Sequence, residues 1–127
     1  MQLGNALNWF EIPVLDFDRA KQFYEAIFDY QMPENQMGPA RMGFFLYDFQ
    51  NGKVGGAIVH NPDFYTPSGN GSLIYLNCQP DLQVVLNRVE AAGGTILQQK
   101  TEIGQNLGFQ ALIKDCEGNR LALHSMG

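Results

Sequence analysis

The feature that most constrains the fold of this chain is an order of apolar segments that occurs twice along its 127 residues. In each half, a strand-like segment precedes a segment with apolar residues at helical spacing, and three more strand-like segments follow. In the first half we expect strands at 8–14, 30–36, 40–49 and 53–60, with a helix over 16–28. In the second half we expect strands at 72–78, 95–102, 107–114 and 119–125, with a helix over 81–92. The pattern therefore predicts a βαβββ module used twice.

The two halves also share their helix-starting residue. Asp16 and Asp81 are each placed to cap the predicted helix of their half. A single module is too small to bury its own sheet, so we expect one α+β domain over 1–127, with modules at about 5–61 and about 71–126. Each helix would then cover the outer face of its sheet, and the inner faces would surround a central cleft.

Two connections carry clear turn signals. Asn51-Gly52 is typical of a tight hairpin turn, here between the third and fourth strands. The stretch 61–71 is rich in Pro, Gly and Asn and predicts the linker between the modules.

Composition argues against several classes of function. The formal charge is −5, and the eight Lys and Arg residues are scattered, so nucleic-acid binding is not expected. No apolar run is long enough to cross a bilayer, and the first residues lack the pattern of a secretion signal. We therefore expect a cytoplasmic protein without membrane partners. Two cysteines in apolar contexts indicate buried thiols rather than a disulfide scaffold or a zinc motif.

Strand alternation predicts which residues face the cleft. These residues are Trp9, Glu11, Pro13, Leu73, Tyr75, Asn77, Arg120, Ala122 and His124. Aromatic and apolar walls with a few polar groups are typical of a small-molecule pocket. A face buried against a partner chain would also use aromatic residues and an arginine, and that alternative stays open. We interpret Trp9, Leu73, Tyr75, Asn77 and Arg120 as candidate ligand-binding residues.

Four segments are similar to signatures of the vicinal oxygen chelate superfamily, which comprises glyoxalase I, bleomycin-resistance proteins, extradiol dioxygenases and methylmalonyl-CoA epimerase. The segments are "WFEIPVLDFDRAKQFYEAIF", "VGGAIVHNP", "RVEAAGGTI" and "DCEGNRLALHS". The resemblance covers essentially the whole chain and is closest to small glyoxalase-related bacterial proteins. It implies paired βαβββ modules, a small-molecule ligand and a homodimer.

In metal-using members of that superfamily, four positions supply the metal ligands. The resemblance maps them onto Trp9, Ala57, Leu73 (or Ile74, if the register differs by one) and Ala122. None of these residues has a carboxylate, imidazole or thiolate donor. We therefore expect no metal and no other cofactor. A displaced divalent metal held by Glu11, His124 and water is the alternative.

Glu11 and His124 are the candidate catalytic residues. Each lies two residues beyond one of the vacant ligand positions and should face the cleft. A carboxylate beside an imidazole orients its tautomer, so the pair is consistent with a metal-free acid/base couple, a ligand anchor or an ion pair without a function. His60 should lie on the opposite face, at the rim.

Three classes of function follow from these residues. The first is a metal-independent small-molecule-binding protein of the bleomycin-resistance type, in which Trp9 and Tyr75 stack on a planar ligand. The second is an enzyme, a lyase or isomerase related to lactoylglutathione lyase, that uses Glu11 and His124. The third is a regulatory or partner-binding module, which predicts a shallow, filled cleft.

Overall fold

The computed structural model describes residues 3–127, and its helices and strands follow the predicted order. The first module consists of β1 (Trp9–Pro13), α1 (Phe17–Phe28), β2 (Glu34–Met37), β3 (Ala40–Phe44), a short 3₁₀ helix (Phe49–Asn51) and β4 (Gly55–His60). The second module consists of β5 (Ile74–Asn77), α2 (Leu82–Val89), β6 (Thr95–Glu102), β7 (Phe109–Lys114) and β8 (Arg120–Ser125). No helix within residues 3–127 is long and apolar enough to span a bilayer.

Each module forms a four-stranded sheet, and the two sheets have the same topology. The strand order is β1-β4-β3-β2 in the first sheet and β5-β8-β7-β6 in the second. In both sheets the first strand pairs in parallel with the last strand of its module, and the remaining pairs are antiparallel. The predicted α+β fold of two βαβββ modules is therefore confirmed.

Aspartate side chains start both helices, as the sequence predicted. The Asp16 carboxylate accepts a hydrogen bond from the backbone N–H of Arg19 (3.2 Å), and the Asp81 carboxylate accepts one from Gln83 (2.9 Å). α1 ends at Asp29, which adopts a left-handed backbone conformation with φ of 57°. Aspartate tolerates this region better than most residues, so the helix ends here without a glycine.

One hydrophobic core connects the two modules, because α1 and α2 pack against each other and against the apolar faces of the sheets. Its largest fully buried side chains come from both modules: Ile12, Val14, Phe23, Tyr24, Ile27, Ile58, Leu82, Leu86, Ile113, Leu121 and Leu123. Each sheet therefore leaves its other face free of this core, and the candidate site residues lie on those faces.

A buried carboxylate ties the second module to the first. Asp115 is only 4% exposed and accepts hydrogen bonds from the Tyr24 hydroxyl of α1 (2.6 Å) and the Asn119 side chain (3.0 Å). Asn119 also donates to the Pro13 carbonyl at the end of β1 (2.8 Å). Close by, the Glu117 carboxylate accepts hydrogen bonds from the backbone just before α1. These bonds fix the start of β8 against the end of β1.

The connection between β3 and β4 differs from the predicted hairpin. The segment 30–36 was expected to be a strand but becomes one only at Glu34, and β3 ends at Phe44 instead of reaching residue 49. Asn51 ends the 3₁₀ helix, and Gly52 follows it with φ of 69°. The side-chain amide of Asn51 donates to the carboxylate of Asp48 (2.6 Å). This local bond accompanies a helical turn in place of a tight two-residue hairpin.

Candidate functional site

In each sheet, the parallel pair of the first and last strands places the candidate site residues opposite each other. Glu11 on β1 lies opposite Ala57 on β4, and Tyr75 on β5 lies opposite Ala122 on β8. Asn77 lies opposite His124 in the same parallel pair. Apart from Ala57, whose strand was not assigned a face, these are residues that strand alternation predicted for the inner faces, away from the helices.

The registers also decide between two positions that the sequence left open. Ile74 packs against the helix-side core and pairs with Leu121, so its side chain belongs to the outer face. Leu73 lies two residues before Tyr75, just as Trp9 lies two residues before Glu11. Leu73 is therefore the counterpart of Trp9 in the second module.

A shallow, open cavity of about 450 Å³ lies on the inner face of the second module, and we call it the second-module cavity. Its lining consists of Tyr75, Ile103, Asn106, Leu107, His124 and Met126. Tyr75, Leu107 and Met126 are 52%, 54% and 53% exposed, so their apolar surfaces face water. The Tyr75 hydroxyl donates to Oε1 of Gln110 (3.0 Å), which fixes the ring on the sheet.

His124 joins β8 to the loop that covers one side of this cavity. Its Nε2 lies 2.7 Å from the carbonyl oxygen of Leu107. A carbonyl only accepts hydrogen bonds, so Nε2 carries a proton and donates it. The other ring nitrogen, Nδ1, makes no hydrogen bond within the described residues. His124 thus holds the loop and keeps one polar atom available.

Another cavity, of about 230 Å³, lies between β1, the start of β8 and the linker, and we call it the junction cavity. Its lining consists of Glu11, Ile12, Pro13, Thr66, Ser68, Gly71, Ser72, Ile74, Asn119, Arg120 and Leu121. The hydroxyl of Tyr65 donates to Oε1 of Glu11 (2.6 Å). This hydrogen bond raises the pKa of the Tyr65 hydroxyl, with smaller contributions from burial and from the carboxylate charge.

Residues that were expected in one cleft line two different cavities. Glu11 and Arg120 line the junction cavity, while Tyr75 and His124 line the second-module cavity. Glu11 and His124 form no ion pair with each other within residues 3–127. Glu11 accepts a hydrogen bond from Tyr65 instead, and His124 bonds to the Leu107 carbonyl.

Trp9, Leu73 and Asn77 line neither of the two cavities. The Trp9 ring packs against Phe44 and Tyr47, with both centroid distances at 6.1 Å. Asn77 accepts a hydrogen bond from the backbone N–H of Gln79 (3.0 Å), a local turn contact. Trp9 and Tyr75 therefore do not line a common cavity. His60 pairs with Arg41, on the face opposite Ala57, as expected.

Sequence reasoning missed the loop that builds the second-module cavity. Ile103 and Leu107 flank the turn between β6 and β7, in which Gln105 and Asn106 have positive φ values of 54° and 61°. The sequence does contain a signal for it: two apolar residues stand beside a Gly-Gln-Asn turn, where side chains are usually polar and exposed to water. Exposed apolar residues at a turn indicate a surface that contacts a ligand or a partner.

The residues at the four ligand positions do not fit a metal ion. Ala57 and Ala122 are fully buried methyl side chains without a donor atom, and Trp9 and Leu73 also lack one. Across the part of the chain that the structure describes, no three His, Cys, Asp or Glu side chains are grouped so as to hold a metal.

Solved structures of known proteins share this fold. A hypothetical protein from S. aureus is 20% identical, with a TM-score of 0.65, and the match covers 98% of this chain and 95% of that one. A glyoxalase/bleomycin resistance protein/dioxygenase family enzyme from Burkholderia phytofirmans PsJN is 17% identical, with a TM-score of 0.66 and coverage of 94% and 98%. The E144Q mutant of glyoxalase I from Zea mays is 18% identical, with a TM-score of 0.72, and the match covers 94% of this chain but only 46% of that enzyme.

A search of curated proteins gave no match. The family model of the Glyoxalase/Bleomycin resistance protein/Dioxygenase superfamily, in contrast, matches residues 6–123. This range begins before β1 and ends within β8, one residue before His124. The chain belongs to the Glyoxalase/Bleomycin resistance protein/Dioxygenase superfamily.

Proposed function

We propose that this protein binds a planar, largely apolar small molecule in the second-module cavity, without a metal ion. The observation that carries the proposal is the half-exposed ring of Tyr75, which stands in an apolar cavity of about 450 Å³ beside a histidine. Family membership supports a small-molecule-binding or enzyme-like role in general.

The size and chemistry of the cavity support this choice. Ligand pockets commonly measure about 300–1,000 Å³ and have apolar walls with a few polar groups. A ligand that covers Tyr75, Leu107 and Met126 removes apolar surface from water, at about 25 cal/mol per Å². The Tyr75 ring offers a stacking face, and Nδ1 of His124 offers one hydrogen-bond acceptor. The net charge of −5 favours cationic over anionic ligands of this shape.

The enzyme hypothesis has less support within one chain. An acid/base couple of Glu11 and His124 needs both groups at one reacting molecule. They line different cavities here, so a lyase or isomerase activity has to rely on either residue alone. A homodimer remains an expectation from the family.

The test is a screen of planar heteroaromatic fragments, followed through the backbone amide signals of ¹⁵N-labelled protein. We expect at least one fragment to shift signals around the second-module cavity in a saturable way. Tyr75→Ala should weaken that fragment at least tenfold, whereas Tyr75→Phe should keep most of the affinity because it keeps the ring.

Phe64→Ala is the matched control, since Phe64 is an aromatic residue 81% exposed outside both cavities. It should leave the affinity unchanged. If no fragment shifts the cavity signals, or if Phe64→Ala weakens binding as much as Tyr75→Ala, the proposed site is wrong.

A further inference from the structure

The junction cavity combines two opposite charges that do not neutralise each other. Glu11 and Arg120 both line it, yet they form no ion pair within residues 3–127, so more than 4 Å separates their charged atoms. The geometry therefore leaves room for a molecule between them.

The carboxylate of Glu11 supplies a negative charge to the junction cavity, and a hydrogen bond fixes its orientation. Tyr65 occupies its Oε1 at 2.6 Å, which orients the group. Its other oxygen, Oε2, has no hydrogen-bond partner within the described residues. A carboxylate with one oxygen fixed and the other available suits an ammonium donor.

Arg120 supplies the positive charge of the junction cavity. Its guanidinium has no hydrogen-bond or ion-pair partner within residues 3–127, so its donors are available to a ligand. The planar fork of a guanidinium matches a carboxylate in a bidentate pair. Lys114 on the neighbouring strand pairs with Arg120 in the sheet register but does not line the cavity.

One part of the cavity wall is polar and held by hydrogen bonds. The side chain of Asn119 donates to the Pro13 carbonyl (2.8 Å) and accepts from the backbone of Ser68 (3.0 Å), so it joins β1 to the linker. Thr66 of the linker and Ser72 just after it add hydroxyl groups to the lining. The rest of the lining is mainly apolar: Ile12, Pro13, Ile74 and Leu121.

We propose that the junction cavity binds a small zwitterion of the amino-acid type, with its carboxylate on Arg120 and its ammonium group on Glu11. One positive and one negative lining charge favour a ligand with both charges over a plain anion or cation. The volume of 230 Å³ equals that of about seven or eight water molecules, which matches a ligand with a similar number of non-hydrogen atoms. This site is separate from the second-module cavity and does not depend on the function proposed there.

The test compares L-alanine with propionate and ethylammonium, each of which lacks one of the two charges. Each compound is titrated into ¹⁵N-labelled protein at pH 7, and the amide signals of Thr66, Ser68 and Gly71 are followed. We expect saturable shifts with L-alanine and at least tenfold weaker binding of propionate and of ethylammonium. Arg120→Gln and Glu11→Gln should each weaken L-alanine at least tenfold.

Lys53→Gln is the matched control, because it removes an exposed positive charge outside the cavity. It should leave L-alanine binding unchanged. Arg120 is exposed, so Arg120→Gln is expected to keep the fold even if Glu11→Gln does not. The proposal is overturned if L-alanine shifts none of these signals, or if propionate or ethylammonium alone binds as tightly as L-alanine.

Discussion

Asp115 illustrates how a single buried residue joins the two modules. It accepts hydrogen bonds from Tyr24, from the Asn119 side chain, and from the backbone N–H groups of Glu117 (2.8 Å) and Asn119 (2.9 Å). Burial raises the pKa of the Tyr24 hydroxyl well above its usual value, and the nearby carboxylate charge adds to this. Because a buried carboxylate is stable only when its oxygens are bonded, each donor contributes to the stability of the whole fold.

Tyr24→Phe should therefore lower the free energy of unfolding by about 1–3 kcal/mol, the range for a hydrogen bond to a buried charge. Chemical denaturation gives the value. Tyr47→Phe is the control, because the Tyr47 hydroxyl has no hydrogen-bond partner within residues 3–127 and should matter little. Equal effects of the two variants would contradict the role assigned to Tyr24.

The buried thiols give the stability a dependence on alkaline pH. Burial raises the pKa of Cys78 from 9.0 to about 12. The folded state therefore keeps the proton that the unfolded chain loses above pH 9. The stabilisation is complete below pH 9 and is lost as the pH rises from 9 toward 12.

Between pH 9 and pH 10.5 we predict that Cys78 lowers the free energy of unfolding by about 1.6 kcal/mol in total, with a slope that approaches about 1.4 kcal/mol per pH unit. Cys116, whose pKa is raised to about 11 by burial, should add to the fall. Denaturation curves with a reductant, for the wild type and for Cys78→Ala, measure the difference in slope. A variant with the same slope as the wild type would show that Cys78 does not carry this effect.

At the scale of helices and strands, the ends depend on a few polar side chains. Asp81 caps α2 and also pairs with Lys100 on β6 (2.8 Å). The hydrogen bond from Lys100 is the main reason why the pKa of Asp81 is lowered. The residue therefore connects the helix to the sheet that it covers.

Asp81→Ala should lower the free energy of unfolding, because it removes the N-cap of α2 and the partner of Lys100. Asp63→Ala, in the exposed linker, removes a carboxylate that makes no side-chain hydrogen bond within the described residues. Thermal unfolding of both variants should separate them, with only Asp81→Ala losing stability. A loss in Asp63→Ala of the same size would point to net charge as the cause.

The sequence could predict the order of helices and strands, and which side chains of β1, β5 and β8 lie on the inner faces. Both depend on apolar spacing and capping residues, which act locally. Glu11 and Tyr75 lie on the inner faces, as alternation required. Strand ends were less predictable, since the bond between Asp48 and Asn51 favours a 3₁₀ turn where the sequence pattern indicated a hairpin.

At the scale of the whole molecule, alternation identifies faces but not the placement of two sheets relative to each other. The expected pairing of Glu11 with His124 and the expected stacking of Trp9 with Tyr75 both assumed one continuous cleft. The linker residue Tyr65 holds Glu11, and the β6–β7 loop residue Leu107 holds His124. Both contacts involve loop residues, and strand periodicity carries no information about loops. The site was therefore predictable only in part.

The vacant ligand positions raise the question of whether binding needs a metal at all. The measurement that tests this most directly is calorimetric titration of a fragment that binds the second-module cavity. It would use wild type and Tyr75→Ala, each with a chelator and with added Ni²⁺ or Zn²⁺. We predict an affinity that neither chelator nor metal changes and that falls at least tenfold in Tyr75→Ala. Binding that requires a metal, or that Tyr75→Ala leaves intact, would contradict a metal-free site at Tyr75.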